Sequence, residues 1–124
     1  MESDSARTSF HVLLTLPYGE KRISVGRDQY IWDAANSAGI TLPAICHQGR
    51  CLTCAGLLEG AGQIDQSDSV GYYPQDKEAG YVLLCTGKPR TDLRIRTNQQ
   101  TAMRKHRLKL GLPAPYSWVT PMDI

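Results

Sequence analysis

The spacing of four cysteines constrains the fold of this chain more than any other feature of its sequence. Cys46, Cys51 and Cys54 follow one another as C-x4-C-x2-C, and Cys85 comes after 30 intervening residues. These are all the cysteines in the 124 residues. One short loop must therefore present three thiols, and a later element must return to bring the fourth thiol beside them.

The context of these cysteines favours a metal site over a set of disulfides. Residues Met1 to Ser5 show neither the basic nor the apolar stretch of a secretory signal, so we expect a reducing compartment. In such a compartment closely spaced cysteines usually bind metal. The C-x4-C-x2-C…C spacing is the plant-type arrangement for a [2Fe–2S] cluster. The sequence therefore predicts one [2Fe–2S] cluster held by all four cysteines.

Other cysteine chemistries explain the pattern less completely. A structural zinc site usually has two short-spaced pairs, whereas Cys85 has no cysteine near it. A Rieske centre needs two histidines, and His47 has no second histidine near the cysteines. A dithiol redox motif would use Cys51 and Cys54 and leave the other two unexplained. A zinc-stabilised interaction module stays open as an alternative.

Small residues surround the three-cysteine segment. Ala44, Gly49, Ala55 and Gly56 let a backbone wrap closely around an anionic centre and point its N–H groups inward. We expect the residues from Ala44 to Cys54 to form this wrapping loop.

Hydrophobic periodicity predicts the elements around the loop. Apolar runs and alternation predict strands, and an apolar stretch behind an acidic cap predicts a helix. The outcome is an α+β domain in which strands enclose one main helix. The predicted elements are a hairpin of Phe10 to Leu16 with Arg22 to Gly26, a helix capped by Asp28 and stopped at Gly39, strands at Ala55 to Glu59, Tyr81 to Cys85 and Asp92 to Thr97, and a basic helix from Thr101 to Leu110.

Charge is divided unevenly along the chain. Residues 1–87 carry a net charge of −4 and residues 88–124 a net charge of +6. A basic tail of this kind either steers the protein toward an acidic partner or nucleic acid, or simply keeps it in solution; on composition alone we favour the second interpretation. No apolar run approaches the roughly 18 residues of a membrane span.

The motifs around the cysteines resemble those of the plant and cyanobacterial [2Fe–2S] ferredoxins, over about residues 8–98. The length beyond that point resembles the low-abundance ferredoxins that have a C-terminal extension. The residues that carry the likeness are Asp33-Ala34-Ala35, Ala38-Gly39-Ile40, Leu42-Pro43, Cys46, Gly49, Cys51, Cys54-Ala55-Gly56 and Gly80-Tyr81-Val82-Leu83 with Cys85.

The resemblance implies a β-grasp (ubiquitin-like) ferredoxin fold with one main helix, a cluster-binding loop and a C-terminal extension. It divides the chain into a ferredoxin-type domain, residues 1–98, and a basic, proline-containing extension, residues 99–124. It also implies a low-potential, one-electron carrier that is not an enzyme. The cysteines predicted above, Cys46, Cys51, Cys54 and Cys85, are the expected ligands of its cluster.

The resemblance further implies redox partner proteins. We expect a reductase or photosystem-type donor, an unspecified acceptor, a monomer, and a place in the cyanobacterial cytoplasm or the plastid stroma. Photosynthetic ferredoxins are strongly acidic, whereas this chain is slightly basic, so we expect the extension to select different partners. A [2Fe–2S] redox sensor whose basic tail binds an acidic partner or nucleic acid is the alternative; for the electron carrier we do not expect nucleic acid as a partner.

Several single residues have two interpretations. We expect Arg50 to contact a partner and His47 to be an exposed loop side chain. Tyr72 and Tyr73 lie near an aromatic position that ferredoxins use for electron transfer, but packing of a helix against the domain explains them equally well. In the extension we expect Tyr116 and Trp118 to pack back on the body.

Overall fold

The first two strands form a hairpin because their apolar residues alternate. In the computed structural model, which describes residues 8–43 and 52–114, Phe10, Val12 and Leu14 point into the core and the residues between them face out. The elements are β1 (Ser9–Leu16), β2 (Gly19–Gly26), α1 (Ile31–Ser37), β3 (Ala55–Leu58), β4 (Ile64–Asp65), α2 (Pro74–Ala79), β5 (Tyr81–Leu83), β6 (Lys88–Pro89), β7 (Leu93–Arg96) and α3 (Gln100–Lys109).

Five strands make one mixed sheet in the order β2-β1-β7-β3-β5. The first strand and the last strand, β1 and β7, run parallel at its middle, while the other neighbouring strands are antiparallel. Helix α1 packs on one face, over a core that includes Val25, Ile31 and Ile95. This arrangement is the expected α+β, β-grasp architecture.

Helix α1 begins later than the sequence predicts. We expected Asp28 to cap it, but the N-cap is Tyr30, whose side chain makes no capping bond. Backbone partners satisfy the first turn instead: the Ile31 N–H donates to the Gly87 carbonyl at 3.0 Å and the Trp32 N–H to the Leu84 carbonyl at 2.9 Å. Tertiary contact with the segment that carries the last cysteine thus fixes where the helix starts.

The basic helix predicted from Thr101 to Leu110 is present, and it is longer than the helix that packs on the sheet. Helix α1 has seven residues, whereas α3, in the extension, has ten. Helix α3 places Met103 in the hydrophobic core with no exposed surface, and the chain leaves it through Gly111 at φ +72°. Among the described residues, no helix is long and apolar enough to cross a bilayer.

Candidate metal centre

Two of the four predicted ligands lie in the described residues, and the sheet brings them together. Cys54 comes directly before β3, and Cys85 lies two residues after β5. These strands pair antiparallel with Ala55 opposite Leu83, so the start of one meets the end of the other. The Cys54 and Cys85 sulfurs lie 3.0 Å apart, and their residues are only 2% and 4% exposed.

The distance between the two sulfurs shows that Cys54 and Cys85 do not form a disulfide bond. A disulfide bond is about 2.0 Å long, so the two thiols approach without being joined. Thiolates are the ligands that iron–sulfur clusters and zinc prefer. Two adjacent, buried sulfurs are therefore chemically suited to serve as half of a thiolate set for a metal centre.

The other predicted ligands, Cys46 and Cys51, lie outside the described residues. So do the loop residues His47, Gly49 and Arg50, for which we expected specific roles. Within residues 8–43 and 52–114, no group of three or more histidine, cysteine or acidic side chains is placed to hold a metal ion. The described part of the chain thus contains no second cluster of such side chains large enough to form a metal site of its own.

The described residues on either side of the cysteine loop are held in the core. On one side the Trp32 indole Nε1–H donates to the Leu42 carbonyl at 2.8 Å, and Leu42 is buried. On the other side Leu52 has no exposed surface. The chain is therefore held in the core at Leu42 and again at Leu52.

Leu52 adopts a backbone conformation that is unusual for its residue type. Its φ is +67°, in the left-handed region that costs a side chain with a Cβ about 1–2 kcal/mol. Its carbonyl accepts a hydrogen bond from the Ala55 N–H at 3.1 Å, closing a turn around Thr53 and Cys54. Burial of the leucine side chain offsets the strain, and the turn directs the chain from the loop into β3.

Gly56 serves close packing rather than loop flexibility. We expected Ala55 and Gly56 to help wrap the loop, but both lie in strand β3, and Gly56 is not among the positive-φ residues. A Cβ at Gly56 would lie 2.7 Å from Ile95 Cγ2 and 3.2 Å from the Arg96 carbonyl oxygen. The glycine therefore lets β3 lie tightly against β7 next to Cys54.

A side-chain network supports the strand that leads to Cys85. The Leu83 N–H donates to Gln66 Oε1 at 2.6 Å, and Gln66 Nε2 donates to the Leu83 carbonyl at 3.1 Å. Gln66 Nε2 also bonds Ser69 Oγ, which lies 2.7 Å from Thr86 Oγ1. Because β5 is an edge strand, this amide replaces the neighbouring strand that the sheet lacks there.

Tyr72 and Tyr73 make contacts within the domain, in line with their interpretation as packing residues. The Tyr72 hydroxyl donates to the Tyr81 carbonyl at 2.6 Å, and burial, reinforced by the nearby Asp76 carboxylate, raises the pKa of this phenol. Tyr73 precedes helix α2, and its N–H donates to Asp76 Oδ2 at 2.8 Å. Tyr72 thus ties the segment before α2 to β5, and the Tyr73 backbone N–H is bound by a side chain of the helix.

Helix α3 contributes to this centre in a way that no sequence pattern predicts. Arg104 is 7% exposed, and its Nη2 donates to Thr53 Oγ1, within the turn before Cys54, at 3.1 Å. Arg107 is 1% exposed and donates two hydrogen bonds to the Asp76 carboxylate of α2, from Nε at 3.0 Å and from Nη2 at 2.6 Å. Arginine in a basic run normally indicates a solvated surface, so spacing alone predicts exposure for both residues.

Comparison with known proteins matches the chain to one family model. The model describes a 2Fe-2S iron-sulfur cluster binding domain and matches residues 17–90.

Curated relatives include "Ferredoxin-2" of Synechococcus sp., 41% identical over 86 residues, which cover 69% of this chain and 79% of the relative. "Ferredoxin-6, chloroplastic" of Zea mays is 38% identical over 98 residues, which cover 77% of this chain and 63% of the relative. "Ferredoxin C 2, chloroplastic" of Arabidopsis thaliana is 38% identical over 76 residues, which cover 61% and 41%.

Solved structures show the same likeness within larger proteins. Pectocin M2 matches with a TM-score of 0.67 at 26% identity, over 82% of this chain and 40% of that protein. The ferredoxin reductase in carbazole 1,9a-dioxygenase matches with a TM-score of 0.57 at 27% identity, over 74% of this chain and 29% of that protein.

Proposed function

The chain belongs to the family of 2Fe-2S iron-sulfur cluster binding domains, and on that premise we propose that Cys46, Cys51, Cys54 and Cys85 together hold its cluster. It carries a single [2Fe–2S] cluster and is an electron carrier of the ferredoxin type rather than an enzyme. The observation that supports the ligand set is the pair of buried sulfurs of Cys54 and Cys85, 3.0 Å apart.

The chain's own residues prepare the place for the cluster. When bound, the cluster supplies the one-electron redox chemistry. The β3–β5 pairing holds two thiols at fixed positions, and the leucines beside them, Leu52 and Leu84, exclude water from their inner side. Exclusion of water and hydrogen bonding around the sulfurs are the means by which a protein sets the potential of such a centre.

The proposed partners are redox proteins: a reductase or photosystem-type donor and an acceptor of unspecified kind. Among the structural neighbours, a ferredoxin reductase contains a region with this fold. The curated relatives named above come from a cyanobacterium and from chloroplasts, which supports a place in the cyanobacterial cytoplasm or the plastid stroma. We propose that the carrier works as a monomer.

The structure changes how the positive charge of residues 88–124 is interpreted. Four cations of residues 88–124 form ion pairs with acids of residues 1–87, and two of them, Arg96 and Arg107, lie on β7 and α3. The charge asymmetry of the sequence is therefore partly cancelled within the molecule. The four pairs are Lys88–Asp68, Arg90–Asp65, Arg96–Glu59 and Arg107–Asp76.

If the extension selects partners, its exposed cations, Lys105 and Lys109, are the residues that would contact them. We expect Lys105→Glu with Lys109→Glu to change the rate at which a purified ferredoxin reductase passes electrons through this protein to cytochrome c, and to change the salt dependence of that rate. Lys21→Glu, on exposed edge strand β2, is the matched control. Equal rates for all three proteins would contradict the hypothesis.

The ligand set is tested by anaerobic purification, with the visible spectrum recorded and iron and acid-labile sulfide counted per chain. We expect a red-brown protein with about two irons and two sulfides that bleaches on reduction. Each of the four cysteine-to-alanine variants should lose this spectrum, while Thr86→Ser, beside Cys85, should keep it. A colourless wild-type protein that holds zinc would overturn the proposal.

A further inference from the structure

Helix α3 carries a positive charge to the edge of the cysteine loop. Arg104 is 7% exposed, and its Nη2 lies 3.1 Å from Thr53 Oγ1, which accepts its hydrogen bond. Thr53 lies between the predicted ligand Cys51 and Cys54, whose sulfur is buried. We propose that Arg104 raises the reduction potential of the cluster, an inference that rests on the ligand set proposed above.

The position of Arg104 is fixed from both ends of its helix. Just before the helix, the Gln99 N–H donates to the Ala55 carbonyl at 3.0 Å, which ties α3 to the residue after Cys54. Within the helix, Met103 is fully buried in the core. Toward the far end, Arg107 bonds Asp76 with two nitrogens and donates to the Pro113 carbonyl at 3.0 Å. The guanidinium of Arg104 is therefore held beside the loop rather than sampling solvent.

Charge balance gives the direction of the effect. Reduction adds one electron to a centre that already carries the negative charge of its thiolates. A fixed positive charge nearby stabilises the reduced form more than the oxidised form, and so raises the potential. Because Arg104 is buried, its charge is screened by salt much less than an exposed charge would be.

The two neighbouring cations of α3 do not provide the same effect. The bidentate carboxylate of Asp76 neutralises Arg107. Lys105 is exposed, so water and counterions screen it. Arg104 combines burial with direct contact to the turn that carries Cys54.

The test is a spectroelectrochemical titration of the purified, cluster-containing full chain. We expect Arg104→Gln to bind a full complement of iron and sulfide and to shift the potential to a more negative value, by the same amount at low and high salt. Arg104→Lys should lie between this variant and the wild type, since it keeps the charge but not the planar hydrogen-bonding group. Lys105→Gln, which removes the same charge one residue away, should stay at the wild-type potential at high salt.

A second variant keeps the proposal testable if Arg104→Gln does not assemble a cluster. Thr53→Val preserves the arginine and removes the hydroxyl that accepts the hydrogen bond from its Nη2, so we expect a smaller shift in the same direction. An unchanged potential in Arg104→Gln, or in Thr53→Val where the first variant cannot be measured, would overturn the role of Arg104. So would equal shifts in Arg104→Gln and Lys105→Gln. Either result leaves the ligand set intact as long as the wild-type protein contains iron and sulfide.

Discussion

At the scale of single residues, the packing around the two described cysteines depends on positions that tolerate few other residue types. Leu52 accepts a left-handed backbone so that its side chain stays buried, and Gly56 has no side chain because Ile95 and the Arg96 carbonyl occupy the space. Both residues lie within two positions of Cys54. The geometry of the thiol pair is therefore sensitive to substitutions that do not touch sulfur.

Gly56→Ala should show this sensitivity. The added methyl group would meet Ile95 Cγ2 at 2.7 Å, so β3 and β7 must move apart. We expect the free energy of unfolding to fall by about 1–3 kcal/mol, the usual cost of an overpacked core. Urea denaturation followed by circular dichroism measures it.

Ser24→Ala, on the exposed side of β2, is the control for this substitution and should stay within about 0.5 kcal/mol of the wild type. A Gly56→Ala protein as stable as that control would show that β3 and β7 can separate at little cost.

At the scale of elements, helices α2 and α3 are joined by a buried ion pair. Asp76 has no exposed surface and Arg107 is 1% exposed, and the guanidinium also lies 4.7 Å from the centre of the Tyr73 ring. The Asp76 carboxylate accepts hydrogen bonds from both Arg107 and the Tyr73 N–H. One carboxylate thus begins α2 and anchors α3.

Asp76→Ala should be strongly destabilising, because it leaves the Arg107 charge buried without its counter-ion. We expect a loss of about 3–5 kcal/mol in the free energy of unfolding. Glu59→Ala is the matched control: its pair with Arg96 is largely exposed, so its loss should cost no more than about 1 kcal/mol. Comparable losses in the two variants, measured by urea denaturation, would contradict the special role of the buried pair.

The two-stranded ribbon of β4 and β6 should contribute a pH dependence to stability. The Ser67 hydroxyl and N–H, and then Arg90, hold the pKa of Asp65 below its ordinary value of 3.8, against the opposing effect of burial. A carboxyl whose folded pKa is depressed stabilises the protein above its unfolded pKa and loses that contribution as the pH falls through the folded pKa. We expect stability to decline below about pH 4.

Asp65→Asn should flatten part of this acid decline, as measured by melting temperatures between pH 2 and pH 7 at about one-unit steps. The variant should also be less stable than the wild type at neutral pH. If the melting temperature falls as steeply at low pH in the variant as in the wild type, Asp65 does not cause the decline.

The sequence predicts elements well where local pattern decides them, and less well where distant contacts do. Alternating apolar residues are enough to predict the hairpin of β1 and β2. The start of α1 at Ile31 depends on carbonyls from residues 84 and 87, which no local pattern reveals. Strands β4 and β6 have only two residues each and carry no periodicity. Burial of Arg104 and Arg107 depends on a partner carboxylate and hydroxyl far away along the chain.

At the candidate site, too, the local pattern is predictable from the sequence and the distant contacts are not. Cysteine spacing predicts the ligand set, and the sheet brings Cys54 and Cys85 together as that prediction requires. The contribution of the extension to the site was missed, because a basic helix normally indicates solvent. The division at residue 98 stays a prediction, although α3 contributes Met103 to the core of the preceding domain.

At the scale of the whole molecule, removal of the residues after Gln99 should destabilise the protein. The truncation takes Met103 out of the core and leaves Asp76 buried without Arg107. We expect a lower melting temperature and faster loss of the visible spectrum at 37 °C than in the full chain. A truncated protein as stable as the full chain would show that the extension only rests on the domain.

The order of strands in the sheet has a consequence for how the protein is made. Strand β7 lies between β1 and β3, so the sheet stays open until the ribosome has released residues 93–96. All four cysteines are synthesised before that point. During translation the thiols therefore emerge on a chain that does not yet have the strand needed to fix them. We therefore expect delivery of iron and sulfide to follow, rather than accompany, synthesis of the ligands.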